Sequence, residues 1–232
     1  MKIAPHKAFN RKKKSTTPLT QKEIVQASLI LLDEVGFDGI TMRALAAKLG
    51  VKAASLYWHV RNKQELFTLL ADEICAPIRE PDISISWQEQ LEFLGNEYRN
   101  TLLLHRDAAK VLASSNNMPS GSNRLRLTEI ILTTLLNAGF NKQDAVYAGF
   151  LLNEYVTMFV LGETQYENID DDNSEESPLD FQGWVNSLPQ NEYPGIRSLA
   201  GYLQKPDSGE RFRFGMEILK SGLASYLTRK KK

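Results

Sequence analysis

Lys52, Ser55, Tyr57 and His59 fall within eight residues, and their side chains can donate to phosphate oxygens or reach base edges in a major groove. Such contacts need a rigid support, and the flanking residues supply one. The run 41–60 reads Thr-Met-Arg-Ala-Leu-Ala-Ala-Lys-Leu-Gly-Val-Lys-Ala-Ala-Ser-Leu-Tyr-Trp-His-Val, the pattern of two short helices joined by a tight turn. Leu45 and Leu49 face inward on the first helix, and Ala46 is small where the second must cross. Gly50 can take the positive φ that the turn needs. Val51 plugs the turn from within, and Leu56 and Val60 anchor the second helix. An ordinary αα-hairpin shares this pattern, but here base surrounds the pair and acid is scarce. His59 alone fits a capping or packed role as well as a contact. Trp58 reads as a packing residue rather than a base-stacking one.

Charge separates the same region from the rest of the chain. Residues 1–63 hold 12 Lys and Arg against 4 Asp and Glu, and residues 64–232 hold 16 against 24, so a net charge of zero conceals two opposite parts. Such asymmetry suits one part that meets a polyanion and one that does not. The Arg11–Lys14 run sits in a Ser/Thr/Pro-containing segment, 1–18, that reads as a flexible arm. It fits phosphate or minor-groove contact and a solvated tail equally well. The single cysteine, Cys75, rules out an internal disulfide and reads as a small buried hydrophobe. No secretory leader pattern is present, and unbroken apolar runs fall far short of the ~20 residues of a membrane span, so a cytoplasmic protein without membrane contact is expected.

Helical signals occupy nearly the whole chain. Capping boxes at Thr20–Glu23, Asn62–Glu65 and Ser86–Glu89 open helices. Gly36 is expected to end the first helix, and the two short helices follow from Thr41 and about Lys52. The fourth helix fades before Pro77. Further helices are expected from Ser86 to about Leu104 and over about 106–114, 123–138, 142–162, 192–203 and 208–228. The helix over 142–162 is apolar on nearly every side, as in a buried helix. The last carries a stripe of Phe212, Gly215, Met216, Leu219, Gly222, Leu223 and Tyr226. The acidic run 167–177 reads as a mobile loop, and no strand pattern or internal repeat is evident.

The stretch Leu19–Ile74 resembles the DNA-binding domain of tetracycline-repressor (TetR) family regulators. Leu56-Tyr57-Trp58-His59-Val60 followed by Asn62-Lys63 carries most of the likeness. His105-Arg106-Asp107-Ala108-Ala109-Lys110-Val111 and Phe212-Arg213-Phe214-Gly215-Met216-Glu217 extend it weakly towards the end. The resemblance implies an all-α homodimer with a flexible arm (1–18) and a three-helix helix-turn-helix DNA-binding domain (19–65). A larger helical effector-binding and dimerisation domain (66–232) would follow, entered by a connecting helix (66–76). It places DNA contacts at Thr41, Arg43, Ser55, Tyr57, His59 and Lys63. Arg43 would mix base and phosphate contact, and Lys63 would hold a phosphate. Ala53 and Ala54 replace the Gln and Pro of the tetracycline repressors. Loss of a reader of adenine implies a different operator, and Lys52 can supply a new contact.

In those repressors a drug–magnesium chelate sits among the helices of the larger domain. A gap-free alignment on Trp87 and Arg106-Asp107 puts Leu94 at the drug-binding Asn and retains an aromatic at Tyr98. It puts Leu112 at the metal-binding His, Ser115 at a Thr that holds a metal-bound water, and Glu154 at a second His. The partner subunit's Glu falls at Gly162, with Glu163 adjacent. Leu112 supplies no ligand to magnesium, which needs oxygen donors in strict geometry, so no magnesium–tetracycline site, metal or cofactor is expected. The candidate effector pocket is Leu94, Tyr98, Leu112, Ser115, Glu154 and Met158: mostly apolar, with a few polar groups to orient a small molecule.

The reading that results is a sequence-specific transcriptional regulator, a repressor by the family's commoner mode, released from DNA by a small molecule. Two alternatives are a non-specific DNA-binding protein without effector and a helical enzyme. The first has no use for a large apolar second domain. For the second there is no Gly-rich phosphate loop, CxxC pair or HExxH helix, and His6, His59 and His105 are far apart.

Overall fold

The computed structural model describes residues 18–115, 121–171, 181–189, 192–204 and 207–230. The Arg11–Lys14 arm and most of the acidic run lie outside these. The described residues contain helices and no strand, in the order α1 (Gln21–Gly39), α2 (Met42–Leu49), α3 (Ala53–Leu56), α4 (Lys63–Ile74), α5 (Trp87–Leu102), α6 (Ala108–Ser114), α7 (Ser122–Ala138), α8 (Lys142–Asp171), α9 (Phe181–Ser187), α10 (Pro194–Gln204) and α11 (Ser208–Lys230). They pack as two compact units, Met1–Met158 and Phe159–Lys232.

In the first unit, local chemistry sets most helix ends. Thr20 and Glu23 form the expected capping box on α1, and Ser86 and Glu89 do so on α5. Asn62 caps α4 by accepting from the Glu65 N–H at 2.8 Å, but Glu65 reaches back to the Arg61 N–H at 2.6 Å, one residue before the cap. Gly36 breaks α1 as expected, at φ 71 and ψ 178, yet three more residues continue to Gly39. Apolar residues at helical spacing then meet in one core. Ile24, Leu32, Leu45, Leu49, Leu56, Leu66, Leu70, Ile74 and Leu91 are all fully or almost fully buried. Phe37 stacks on Phe67 with ring centroids 4.7 Å apart, tying the end of α1 to α4. α4 packs against α1, α6 and α7, and α5 packs against α7.

In the second unit, α9 packs against α10, and Phe212 of α11 meets Phe159 edge-on at 5.2 Å. Of the stripe on α11, Phe212, Met216 and Leu219 are buried, whereas Gly222 is exposed.

Four expectations change. α3 is one turn long, and the chain from Tyr57 to His59 forms turns rather than more helix. α8 runs to Asp171, so 167–171 is helix rather than loop. α9 had no expected counterpart. The α8 segment is not buried all round: Tyr147, Phe150, Leu151 and Met158 are about half exposed. Averaged along its length, Lys142–Thr164 is long and apolar enough to cross a membrane, although polar residues such as Asp144 and Glu154 interrupt every unbroken run.

Candidate DNA-binding face and effector cavity

The helix-turn-helix begins at Thr41, whose hydroxyl accepts from the Ala44 N–H at 3.0 Å and so caps α2. α2 ends at Gly50, left-handed at φ 67 and ψ 30, and the Val51 N–H then donates to the Ala46 carbonyl at 3.0 Å. Buried Leu45, Leu49, Leu56 and Val60 hold α2 and α3 against the core. Because those residues face inward, the intervening positions face out. Thr41, Arg43, Lys52, Tyr57 and Lys63 are exposed, and Ser55 and His59 are half-buried.

From Thr41 to Lys63 the chain carries five basic residues and no acidic one. Of these, Lys48 is engaged with Glu34 at 2.7 Å. The Lys63 ammonium stands over the Phe37 and Phe67 rings, 5.7 and 5.1 Å from their centroids, so the aromatic pair positions the cation at the start of α4. The His59 carbonyl accepts from the Gln21 side chain at 3.3 Å, joining the end of this segment to α1. Trp58 departs from expectation. It is 88% exposed, so within this chain it packs on nothing substantial and shares the outward side with Tyr57.

A cavity of about 160 Å³ opens among α4–α8, wholly within the first unit. Cys75 follows α4, Tyr98 enters from α5, Leu112 from α6, Arg124 and Ile131 from α7, and Phe150 and Asn153 from α8. The Tyr98 hydroxyl shares a hydrogen bond with Thr157 Oγ1 at 3.0 Å. Burial pushes this hydroxyl well above its ordinary pKa range, with the Cys75 thiol adding to the rise and Thr157 and Arg124 opposing it. Burial likewise pushes the Cys75 thiol up to about 12, against the pull of the Arg124 charge.

Of the residues proposed from sequence, Tyr98 and Leu112 line this cavity. The other four do not. Leu94 is buried within α5, and buried Ser115 donates its hydroxyl to the Leu112 carbonyl at 2.7 Å. Glu154 is exposed on α8, and Met158 is 58% exposed. Arg124 escaped the sequence reading, although a signal was present: Arg124, Leu127, Thr128 and Ile131 follow helical spacing and form one stripe. Among the described residues, no group of three or more His, Cys, Asp or Glu side chains could hold a metal ion.

α6 bridges the cavity and the DNA-binding helices. Asp33 of α1 accepts from the Arg106 N–H at 3.1 Å and meets His105 Nδ1 at 3.0 Å. Asp107 Oδ2 accepts from the Phe37 N–H at 3.0 Å, just past the break at Gly36. Burial raises the Asp107 carboxyl pKa, but Phe37, Lys110 and Arg106 together hold it below the usual carboxylate range. At the other end of α6, the Ser114 carbonyl accepts from Gln64 of α4 at 2.7 Å. Leu112, in the cavity wall, lies between these two attachments.

Residues 24–70 match the family described as bacterial regulatory proteins, tetR family, and residues 80–227 match the tetracyclin repressor-like C-terminal domain. The chain is 31% identical over 216 residues to the class D tetracycline repressor protein of Escherichia coli, covering 90% of this chain and 91% of that one. Apo ActR of Streptomyces coelicolor superposes with a TM-score of 0.78 at 32% identity, covering 93% of this chain and 100% of ActR. ActR in complex with actinorhodin does so at 0.75 and 32% identity, covering 90% and 97%. BioQ of Mycobacterium smegmatis, solved with its double-stranded DNA operator, gives 0.64 at 26% identity over 89% of this chain and 98% of BioQ.

Proposed function

We propose, for a chain that belongs to the TetR family, that the α2–α3 face grips operator DNA and that the α4–α8 cavity holds the effector whose binding releases it. The chain is a DNA-binding transcriptional regulator that works as a homodimer with a small-molecule effector. The carrying observation is the join: an acid-free, outward-facing basic segment is linked through α6 to the wall of an apolar cavity.

Thr41, Arg43, Lys52, Ser55, Tyr57, His59 and Lys63 form the DNA contact set. Lys52 and Lys63 neutralise phosphates, while Ser55, Tyr57 and Arg43 approach base edges. The DNA-binding portion is 19–65, with 66–76 connecting it to the remainder. The half-exposed apolar residues of α8 suit burial against a second copy, which a monomer leaves in water.

A dimer fits two half-sites only at about one DNA turn or a multiple of it. An effector that displaces Leu112 moves α6, and α6 pulls on α1 at Phe37 and on α4 at Gln64. The two DNA-binding faces then lose their spacing. Linkage requires that DNA weaken effector binding by the same factor.

The magnesium–tetracycline complex does not fit this cavity. Its described lining offers hydroxyl and amide oxygens from Tyr98, Thr128 and Asn153 but no carboxylate or imidazole for a divalent ion. The chain is a repressor rather than an enzyme, and it acts in the cytoplasm. Selection from a random duplex pool with purified protein tests the DNA reading. One enriched palindrome is the expected result; binding governed by salt alone, with no sequence preference, would replace it with non-specific coating.

A further inference from the structure

We propose that the effector is an aromatic carboxylate whose anionic group is received by Arg124. This rests on the cavity among α4–α8 being the effector site. Among the described lining residues Arg124 is the one that carries a charge, and none is acidic. The rest of the wall is apolar (Leu112, Leu127, Ile131) or polar and neutral (Tyr98, Asn153).

Asp72 Oδ1 accepts from the backbone N–H groups of Asn123 and Arg124 at 3.0 and 2.9 Å, and its Oδ2 accepts from the Asn123 side chain at 3.2 Å. That carboxylate caps the start of α7. Gly121 belongs to the same arrangement, because a Cβ there would stand 2.3 Å from the Asp72 carboxyl carbon.

Arg124 is itself one of the lining residues. Its charge is felt at both the Cys75 thiol and the Tyr98 hydroxyl, two groups of the same wall. A guanidinium set in a mostly apolar wall favours a planar, bidentate anion over a neutral guest or an amine. The volume limits the rest of the molecule. At about 160 Å³ the cavity compares with an apolar cavity of about 150 Å³ that takes up benzene, so one aromatic ring with a carboxylate fits as it stands.

The test pairs each acid with its uncharged isostere: benzoate with benzamide, and 1-naphthoate with 1-naphthamide, titrated calorimetrically into the full-length protein. In the wild type the acids are expected to bind about tenfold or more tighter than the amides. In Arg124→Gln this preference disappears while amide binding persists, with thermal melting as the check of folding. Arg124→Lys, which keeps the charge but loses the fork, is expected to retain part of the preference and so covers a failure of the first variant to fold.

Gly149→Leu supplies the control for location. A Cβ at Gly149 already stands 3.4 Å from Leu132 and 3.5 Å from Ile131, so a leucine there fills the cavity and removes binding of both classes. Acid and amide binding equally, or an acid preference that survives Arg124→Gln, overturns the assignment of Arg124 and leaves the cavity as effector site. Binding that survives Gly149→Leu, or no binding by any probe, removes the cavity reading and this proposal together.

Discussion

The face proposed to meet DNA and the cavity proposed to receive the effector differ in how far apart their parts lie in the chain and in how exposed their charged groups are. The proposed DNA face is drawn from 23 consecutive residues, 41–63, and most of its polar side chains are exposed. The cavity draws on residues from Cys75 to Asn153, on or beside five helices, and its single charged side chain, Arg124, is half-buried. A surface of the first kind survives small shifts of its neighbours. A cavity of the second kind changes with each of them, which suits a sensor. α6, seven residues long, is held to α1 and α4, which flank the first region, and contributes Leu112 to the wall of the second.

The sharpest way to break the contrast is to damage the join. Gly36 has φ 71 and ψ 178, a region open essentially to glycine alone, and a Cβ there would lie 2.8 Å from Asp107 Oδ2. Gly36→Ala is expected to cost about 3 kcal/mol. Calorimetry should show this as a fall in Tm of roughly 6–12 °C, with both regions impaired.

A smaller loss confined to one region is expected from Tyr57→Ala or Arg43→Ala. Each should weaken binding to the selected operator by about 1–3 kcal/mol, measured by fluorescence anisotropy, while amide binding in the cavity is unaffected. An equal effect on both ligands would mean that the two regions are not separable. Smaller again is Gln64→Ala, which removes the bond to Ser114 and about 1 kcal/mol of stability. Its expected signature is reduced coupling: effector shifts operator affinity less, although each binds nearly as before.

The mildest effect is that of acid. The Asp107 carboxyl is held below its unfolded value, so its contribution to stability is present above the unfolded pKa of about 3.9 and is lost as pH falls through the lower folded value. Denaturant midpoints measured from pH 6 down to 3 should decline less steeply in Asp107→Asn than in the parent.

The same contrast decides what could be read from the sequence. Leu45, Leu49, Leu56 and Val60 repeat at helical spacing beside Gly50, so the helix-turn-helix is encoded within one short window, and the outward residues follow from the inward ones. Trp58 did not follow, because burial of a large aromatic is a tendency and not a rule, and the turns from Tyr57 to His59 leave it outside the core. The cavity needed register across five helices. A gap-free alignment keeps Tyr98 and Leu112 in the wall, but each residue of slip turns a side chain by about 100° around a helix, and Leu94, Ser115, Glu154 and Met158 face elsewhere. α8 had an apolar composition without a sharp face, and several of its apolar residues are half exposed in the single chain. The continuation of α8 through Asp171 defied the acidic composition of that run because a long helix already established N-terminal to it propagates cheaply.

Cys75 has a practical consequence. It is the chain's single thiol, it is almost wholly buried, and it forms part of the chamber wall. With its pKa pushed up to about 12 it stays protonated at neutral pH, so modification waits on the protein opening rather than on the sulfur's readiness. The labelling rate with a thiol reagent therefore works as a clock of chamber breathing, read at one atom without any introduced reporter. A guest that seals the chamber should slow that clock.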